Sequence, residues 1–188
     1  SKGEWICPET VSNSEDSAAA PEIDLSGYVK SEDLADYVKA EALAAETGAK
    51  AEEFAMLVKE SDYVFIGVKP YLVAQVLGEV KENLQGNAPV IVSMAAGISV
   101  AELSAMIDLP IIRILPNTPV MVGAGLTLAV KNEKVTDAMT AAYLDAMTLS
   151  GDTQWVDEKV FDGAGTGSSC GPAFAYMFME ALADGGVT

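Results

Sequence analysis

Residues 89–119 read PVIVSMAAGISVAELSAMIDLPIIRILPNTP, and this stretch decides the fold. It holds two near-continuous apolar runs, Pro89 to Met94 and Ile111 to Leu115. Aliphatic runs without polar alternation are the pattern of strands buried on both faces. Between them, Val100 to Ile107 carries apolar residues at helical spacing, and Ser99 stands where an N-cap belongs. Strand, helix and strand in so short a span predict a parallel crossover unit.

The same alternation extends outward. Upstream, Glu52 to Glu60 reads as a short helix, and Tyr63 to Val68 (YVFIGV) as a buried strand ended by Lys69-Pro70. Leu72 to Leu84 repeats apolar residues at Val73, Val76, Leu77 and Val80, a helical face. Downstream, Pro116-Asn117-Thr118-Pro119 stops the third strand, Leu126 to Val130 is a fourth, Val135 to Leu149 an amphipathic helix, and Gln154 to Val156 a last short strand. The expected class is α/β, a Rossmann-type, doubly wound, mostly parallel sheet covered by helices on both faces. A Gly/Ser-rich loop is expected over Gly163 to Gly171, then a helix from Pro172 to about Asp184. That helix is apolar nearly all round, through Phe174, Tyr176, Met177, Phe178 and Leu182, and is therefore expected to be buried against another subunit.

Composition shifts near residue 40. Residues 1 to 26 show almost no apolar periodicity and read as an irregular acidic arm, with one short strand around Trp5, Ile6 and Cys7. A helix capped by Ser31 follows, with Leu34, Tyr37, Val38 and Leu43 at helical spacing and Gly48 closing it. The expected organisation is an arm with a short helix over 1–40, a partial dinucleotide-binding domain over 41–157, and the start of a helical domain over 158–188. No internal repeat is present.

Composition also excludes chemistry. Eleven basic against 28 acidic residues give a formal net charge of −17, which opposes nucleic-acid binding. With no histidine, Ser-His-Asp and Cys-His catalysis and His-ligated metals are excluded within one chain. Cys7 and Cys170, far apart, suit a reducing cytoplasm and form no metal-ligand spacing. The longest apolar run, Ala88 to Ile98, falls short of the roughly 20 residues that span a bilayer. The N-terminal SKGEWICPET has no signal-peptide core.

In open α/β sheets, ligands bind beyond the carboxyl ends of the strands. Three successive strand ends here carry Val68-Lys69-Pro70, Ala95-Ala96-Gly97 and Pro116-Asn117-Thr118-Pro119. Each alone is an ordinary turn sequence. Together they mark a cofactor cleft, with small residues for close approach and Asn117 and Thr118 for directional hydrogen bonds. In GTGSSCGPAF, Gly171 as N-cap and Pro172 as N1 would leave Ser168, Ser169 and Cys170 around a helix N-terminus, either an anion site or a plain capped helix. Cys170 lacks a histidine base, and packing is the commoner role of a lone cysteine. Glu158 and Asp162, one turn apart, are an acid/base pair or a solvated surface pair, with surface the default.

These residues also carry a resemblance. EALAAETGAKA, ESDYVFIGVKP, SMAAGIS, IRILPNTPVMVGAG and SCGPAFAYMFMEALADGGV, in this order from about Ala40 to Thr188, resemble the pyrroline-5-carboxylate reductase family. The resemblance implies reduction of 1-pyrroline-5-carboxylate to L-proline by hydride from NADPH or NADH. It implies that Val68, Lys69 and Pro70 line the adenosine-ribose side of the cofactor. Ala95, Ala96 and Gly97 would pass close to it toward the nicotinamide, with Asn117 and Thr118 nearby. Glu158 matches an acidic residue near the substrate, and Ser168, Ser169, Cys170 and Gly171 belong to a helical second domain that forms a dimer core, so the expected partner is a second copy joined through the C-terminal helix. No catalytic side chain and no metal is implied.

The chain departs from the family in two places. The family's opening strand and GxGxxG turn, and its second strand, have no match in residues 1–40, whose stretch 24–40 has a slight likeness to phage tail-fibre linkers. The chain also ends at ALADGGVT, before the family's later loop rich in Ser, Pro, Gly and Thr. The expectation is therefore a truncated reductase. The alternative is a non-catalytic remnant or interaction protein that keeps the scaffold. A third reading, a phage-type structural module, rests on residues 24–40 alone.

Overall fold

The computed structural model describes residues 4–8, 23–24 and 40–186. The expected cap at Ser31, the first turns of its helix and most of the acidic arm lie outside the described residues. The described elements are β1 (Glu4–Pro8), β2 (Ile23–Asp24), α1 (Ala40–Thr47), β3 (Ala49–Glu53), α2 (Phe54–Glu60), β4 (Tyr63–Ile66), α3 (Val73–Asn83), β5 (Val90–Ser93), α4 (Val100–Met106), β6 (Ile111–Leu115), β7 (Gly125–Lys131), α5 (Asp137–Met147), β8 (Gly151–Trp155), α6 (Glu158–Gly165) and α7 (Gly171–Gly185). They fall into two compact units, residues 1–113 with 131–146, and residues 114–130 with 147–188.

In the first unit, β2, β4, β5 and β6 are successive parallel neighbours. The registers Val64↔Ile91↔Ile111 and Phe65↔Val92↔Ile112 set two rows of side chains, one on each face of the sheet. Val64, Ile66, Ile91 and Ile111 pack in one cluster with Leu57 and Val58 of α2, Val73, Val76, Leu77 and Val80 of α3, and Leu103 of α4. Tyr63, Phe65, Val90, Val92 and Ile112 are also buried. Tyr63 donates its hydroxyl to the Met139 carbonyl of α5 (2.6 Å), which places α5 beside the second row. Full burial of each aliphatic side chain is worth about 1.5–3 kcal/mol. Continuous apolar strands follow from this two-sided cover. β1 and β3 form a separate antiparallel pair, Glu4↔Glu53 to Pro8↔Ala49. The short strand expected around Trp5 is present, whereas β3 was not expected: AKAEE carries no run of β-formers.

Two polar devices shape the ends of these elements. Asn132 is buried, and its carboxamide accepts from the Ile111 N–H (3.1 Å) and donates to the Leu109 carbonyl (3.0 Å). It thereby closes the entry to β6, where Pro110 cannot donate. At α4 the expected cap is a full capping box. Glu102 N–H donates to Ser99 Oγ (3.2 Å), and Ser99 N–H donates to the Glu102 carboxylate (2.8 Å).

The second unit contains β7 and β8, parallel from Gly125↔Gly151 to Ala129↔Trp155. At the start of this pair a Cβ on Gly151 would sit on the Gly125 backbone, so the strands meet there only because both residues lack side chains. Beyond β8, Asp157 caps α6 by accepting from the Lys159 N–H (3.0 Å). The loop expected over Gly163 to Gly171 is absent. Thr166–Cys170 is a π-helical turn that joins α6 directly to α7. Gly171 is helical (φ −51°, ψ −44°) rather than an N-cap, so the expected free helix N-terminus is not there. The glycines misled the sequence reading because at least one serves close packing: a Cβ on Gly165 would strike the Leu115 side chain. The last helix, expected to be buried against another subunit, is left uncovered by its own chain. Phe174, Tyr176, Met177, Phe178, Met179 and Leu182 of α7 are 60–69% exposed.

Two outcomes are expected. Asn132→Ala leaves a buried donor and a buried acceptor unpaired and should cost about 2–4 kcal/mol in urea unfolding, whereas Gln75→Ala on the exposed face of α3 should change little. Hydrogen bonds from Ser99 hold the Glu102 carboxyl below the ordinary carboxylate range, and the Lys134 ammonium does the same for Asp108. With folded values lower than unfolded ones, the unfolded chain binds more protons. The stabilisation is therefore full above the ordinary carboxylate range and lost as pH falls through the lowered values. A Glu102→Gln, Asp108→Asn double variant should lose less stability on acidification across that window, measured by urea midpoints.

Candidate functional site

In the first unit, two of the three strand-end segments lie side by side. The chain leaves β4 at Ile66 and passes through Gly67 to Val68, Lys69 and Pro70, where a 3-10 turn opens α3. It leaves β5 at Ser93 and turns through Ala95, Ala96 and Gly97 into the cap of α4. The Met94 N–H donates to the Ile66 carbonyl (3.0 Å), which ties the two exits together. The Ala95 N–H donates to the buried Ser93 hydroxyl (3.3 Å). Val68 and Ala95 are buried and form the base of this edge, whereas Lys69, Pro70, Ala96 and Gly97 are exposed above it. Gly97 has φ +72°, a conformation that L side chains rarely adopt, so the turn exposes backbone at that point. A small-residue edge of this kind lets a flat, polar ligand reach main-chain groups, and Lys69 supplies a cation beside it.

In the second unit, the segment after β6 approaches the π-helical turn. Asn117 Nδ2 donates to the Ser168 carbonyl (3.1 Å), and Asn117 Oδ1 accepts from the Leu126 N–H (2.9 Å). Thr118 is exposed at the start of a 3-10 turn that ends at Gly123. The Ser168 and Ser169 hydroxyls are buried and make no hydrogen bond. Cys170 is an exposed free thiol. Glu158 and Asp162 share one side of α6, with Glu158 half-buried and Asp162 exposed.

The structure thus brings Val68, Lys69, Pro70, Ala95, Ala96 and Gly97 together in one unit, and Asn117, Ser168 and Ser169 together in the other. Ser168, Ser169, Cys170 and Gly171 are part of a helix rather than of a loop before one. What the sequence reading missed is the hydrogen-bonding task of Asn117. Pro172 was the available signal, because a proline four residues past Ser168 removes a helical donor. No group of three or more Cys, Asp or Glu side chains is arranged for a metal among the described residues. No described helix is long and apolar enough to cross a membrane.

Residues 35–97 match the family described as NADP oxidoreductase, coenzyme F420-dependent. The chain is 39% identical over 132 residues to a pyrroline-5-carboxylate reductase of Corynebacterium melassecola, covering 68% of this chain and 49% of the relative. It is 35% identical over 143 residues to that of Escherichia coli strain K12, covering 74% and 53%. A crystal structure of Plasmodium falciparum pyrroline carboxylate reductase with NADP bound superposes with a TM-score of 0.63 at 30% identity, covering 71% of this chain and 51% of that one. The chain spans about half the length of the curated relatives it matches. Over roughly two thirds to three quarters of its own length, the chain belongs to the pyrroline-5-carboxylate reductase family.

Proposed function

We propose that the chain acts as part of a pyrroline-5-carboxylate reductase, reducing 1-pyrroline-5-carboxylate to L-proline in the cytoplasm with NADPH or NADH. The observation that carries this reading is the paired strand exits of the first unit, joined by the Met94–Ile66 hydrogen bond at the carboxyl ends of parallel strands. The edge fits part of a dinucleotide. Lys69 and Pro70 suit the ribose side, and Ala96 and the positive-φ Gly97 let a ring lie against backbone. The glycine-rich helix start that would hold a pyrophosphate is not present among the described residues, so the fit covers one side of the cofactor.

When bound, the nicotinamide supplies hydride; the side chains named here bind, orient and exclude water. Glu158 at the start of α6, with Ser168, Ser169, Cys170 and Gly171, belongs to the substrate end. On the family likeness, Asn117 and Thr118 are assigned to the cofactor. No nucleophile is needed, because an imine accepts hydride once oriented and protonated, consistent with a chain that has no histidine. The proposed organisation keeps a dinucleotide-binding domain over 41–157 and the start of a helical dimerisation domain from 158. Six large apolar side chains exposed on α7 exceed what a monomer ordinarily shows and support a homo-oligomer formed through that helix.

A second reading, a remnant that keeps the scaffold without activity, is favoured by the net charge of −17, which opposes capture of anionic cofactor and substrate. A fluorescence titration separates the two. Saturable micromolar NADPH binding that L-proline strengthens, followed by turnover of pyrroline-5-carboxylate, is the expected result. No binding up to millimolar NADPH leaves the remnant. Sedimentation velocity should show a dimer that a Phe174→Glu, Phe178→Glu double variant converts to monomer; an unchanged monomeric wild type would count against the α7 interface.

A further inference from the structure

A helical carbonyl four residues before a proline has no backbone N–H to receive. Ser168 is in that position relative to Pro172. The helix answers in two ways. It widens into a π-turn, in which the Gly171 N–H donates to the Thr166 carbonyl five residues back. And a side chain from outside the helix, Asn117, donates Nδ2 to the Ser168 carbonyl at 3.1 Å. Asn117 is itself fixed from its other end, because Oδ1 accepts from the Leu126 N–H at the start of β7. The result is a held turn in which the Ser168 and Ser169 hydroxyls are buried without a hydrogen-bond partner. Buried hydroxyls are ordinarily paired, and π-turns inside helices are frequent at functional sites.

We propose that Asn117 is a positioning residue: it substitutes for the donor that Pro172 lacks and holds the Ser168–Cys170 turn, so that the two serine hydroxyls stay available to a small carboxylate ligand. The nature of that ligand rests on the function proposed above. The relation between Asn117 and Pro172 does not. Asn117 thus acts on the ligand through the π-turn, by a carboxamide whose two ends are committed to Ser168 and Leu126.

The test is a double-mutant cycle of Asn117→Ala and Pro172→Ala, read by thermal midpoint, by amide hydrogen exchange over residues 166–173, and by NMR titration with L-proline. Asn117→Ala should lower the midpoint by about 3–8 °C, speed exchange in the turn, and weaken proline binding at least about tenfold. Adding Pro172→Ala returns a backbone donor to the Ser168 carbonyl. The midpoint should recover while proline binding stays weak, because an ordinary α-turn re-aims the hydroxyls. A purely structural role would recover both. Asn117→Asp, which keeps the acceptor for Leu126 but sets a carboxylate against the Ser168 carbonyl, should behave as the alanine variant does and covers the case in which alanine does not fold. Equal, additive losses in both backgrounds would overturn the proposal, as would unchanged proline affinity in Asn117→Ala. If the wild-type chain binds no proline, the substrate assignment fails, and the thermal and exchange coupling alone decides whether Asn117 replaces the missing donor.

Discussion

The ladder of β4, β5 and β6 is buried on both faces, and this burial dictates where everything else can be. Backbone donors and acceptors of these strands are consumed by one another, and the side chains between Tyr63 and Ile66 and between Val90 and Val92 are apolar and inaccessible. A polar group inside such a layer costs free energy unless it is paired. Ligand chemistry is therefore excluded from the body of the sheet and displaced to the ends of the strands, where the chain reverses and main-chain groups reappear. The exits after Ile66 and Ser93 are adjacent because their strands are adjacent and parallel. The candidate edge is a consequence of the ladder rather than a separate invention.

The second unit solves a different problem. Its helical segment runs from Glu158 to Gly185 through a glycine-rich, proline-containing stretch that intrinsic propensity disfavours. It persists because the awkward residues have partners. Gly165 allows close approach to Leu115, and Asn117 serves the carbonyl that Pro172 leaves open. A helix maintained this way contains an irregular turn at a defined place, with serine side chains that a regular α-helix would place elsewhere. The exposed apolar side chains of α7 are the complementary feature, and on the function proposed above a second copy of the chain covers them.

Much of this was legible in the sequence, for a physical reason. Strands buried on both sides need near-continuous apolar residues, so YVFI, VIVS and IIRIL announced themselves despite Ser93 and Arg113, as did the cap at Ser99 and the helical face of Val73, Val76, Leu77 and Val80. β3 was not legible, because AKAEE pairs at an edge through its backbone, with no side-chain pattern to read. Nor was the helix over Gly163 to Gly171. Glycine and serine are ambiguous between flexibility and close packing, and only the neighbouring Leu115 and Asn117 settle which applies. The strand-end residues were found by position, but the division of Asn117 from Lys69 and Gly97 into separate units was not visible in one dimension.

On the function proposed above, a dinucleotide is the ligand expected on the first unit, and the paired exits are the physical reason to expect it there. Amide hydrogen exchange measured with and without saturating NADPH tests that placement directly. The account predicts slowed exchange confined to residues 67–70 and 95–99 in the first unit. Protection that spares both segments, or no protection at all, would contradict it.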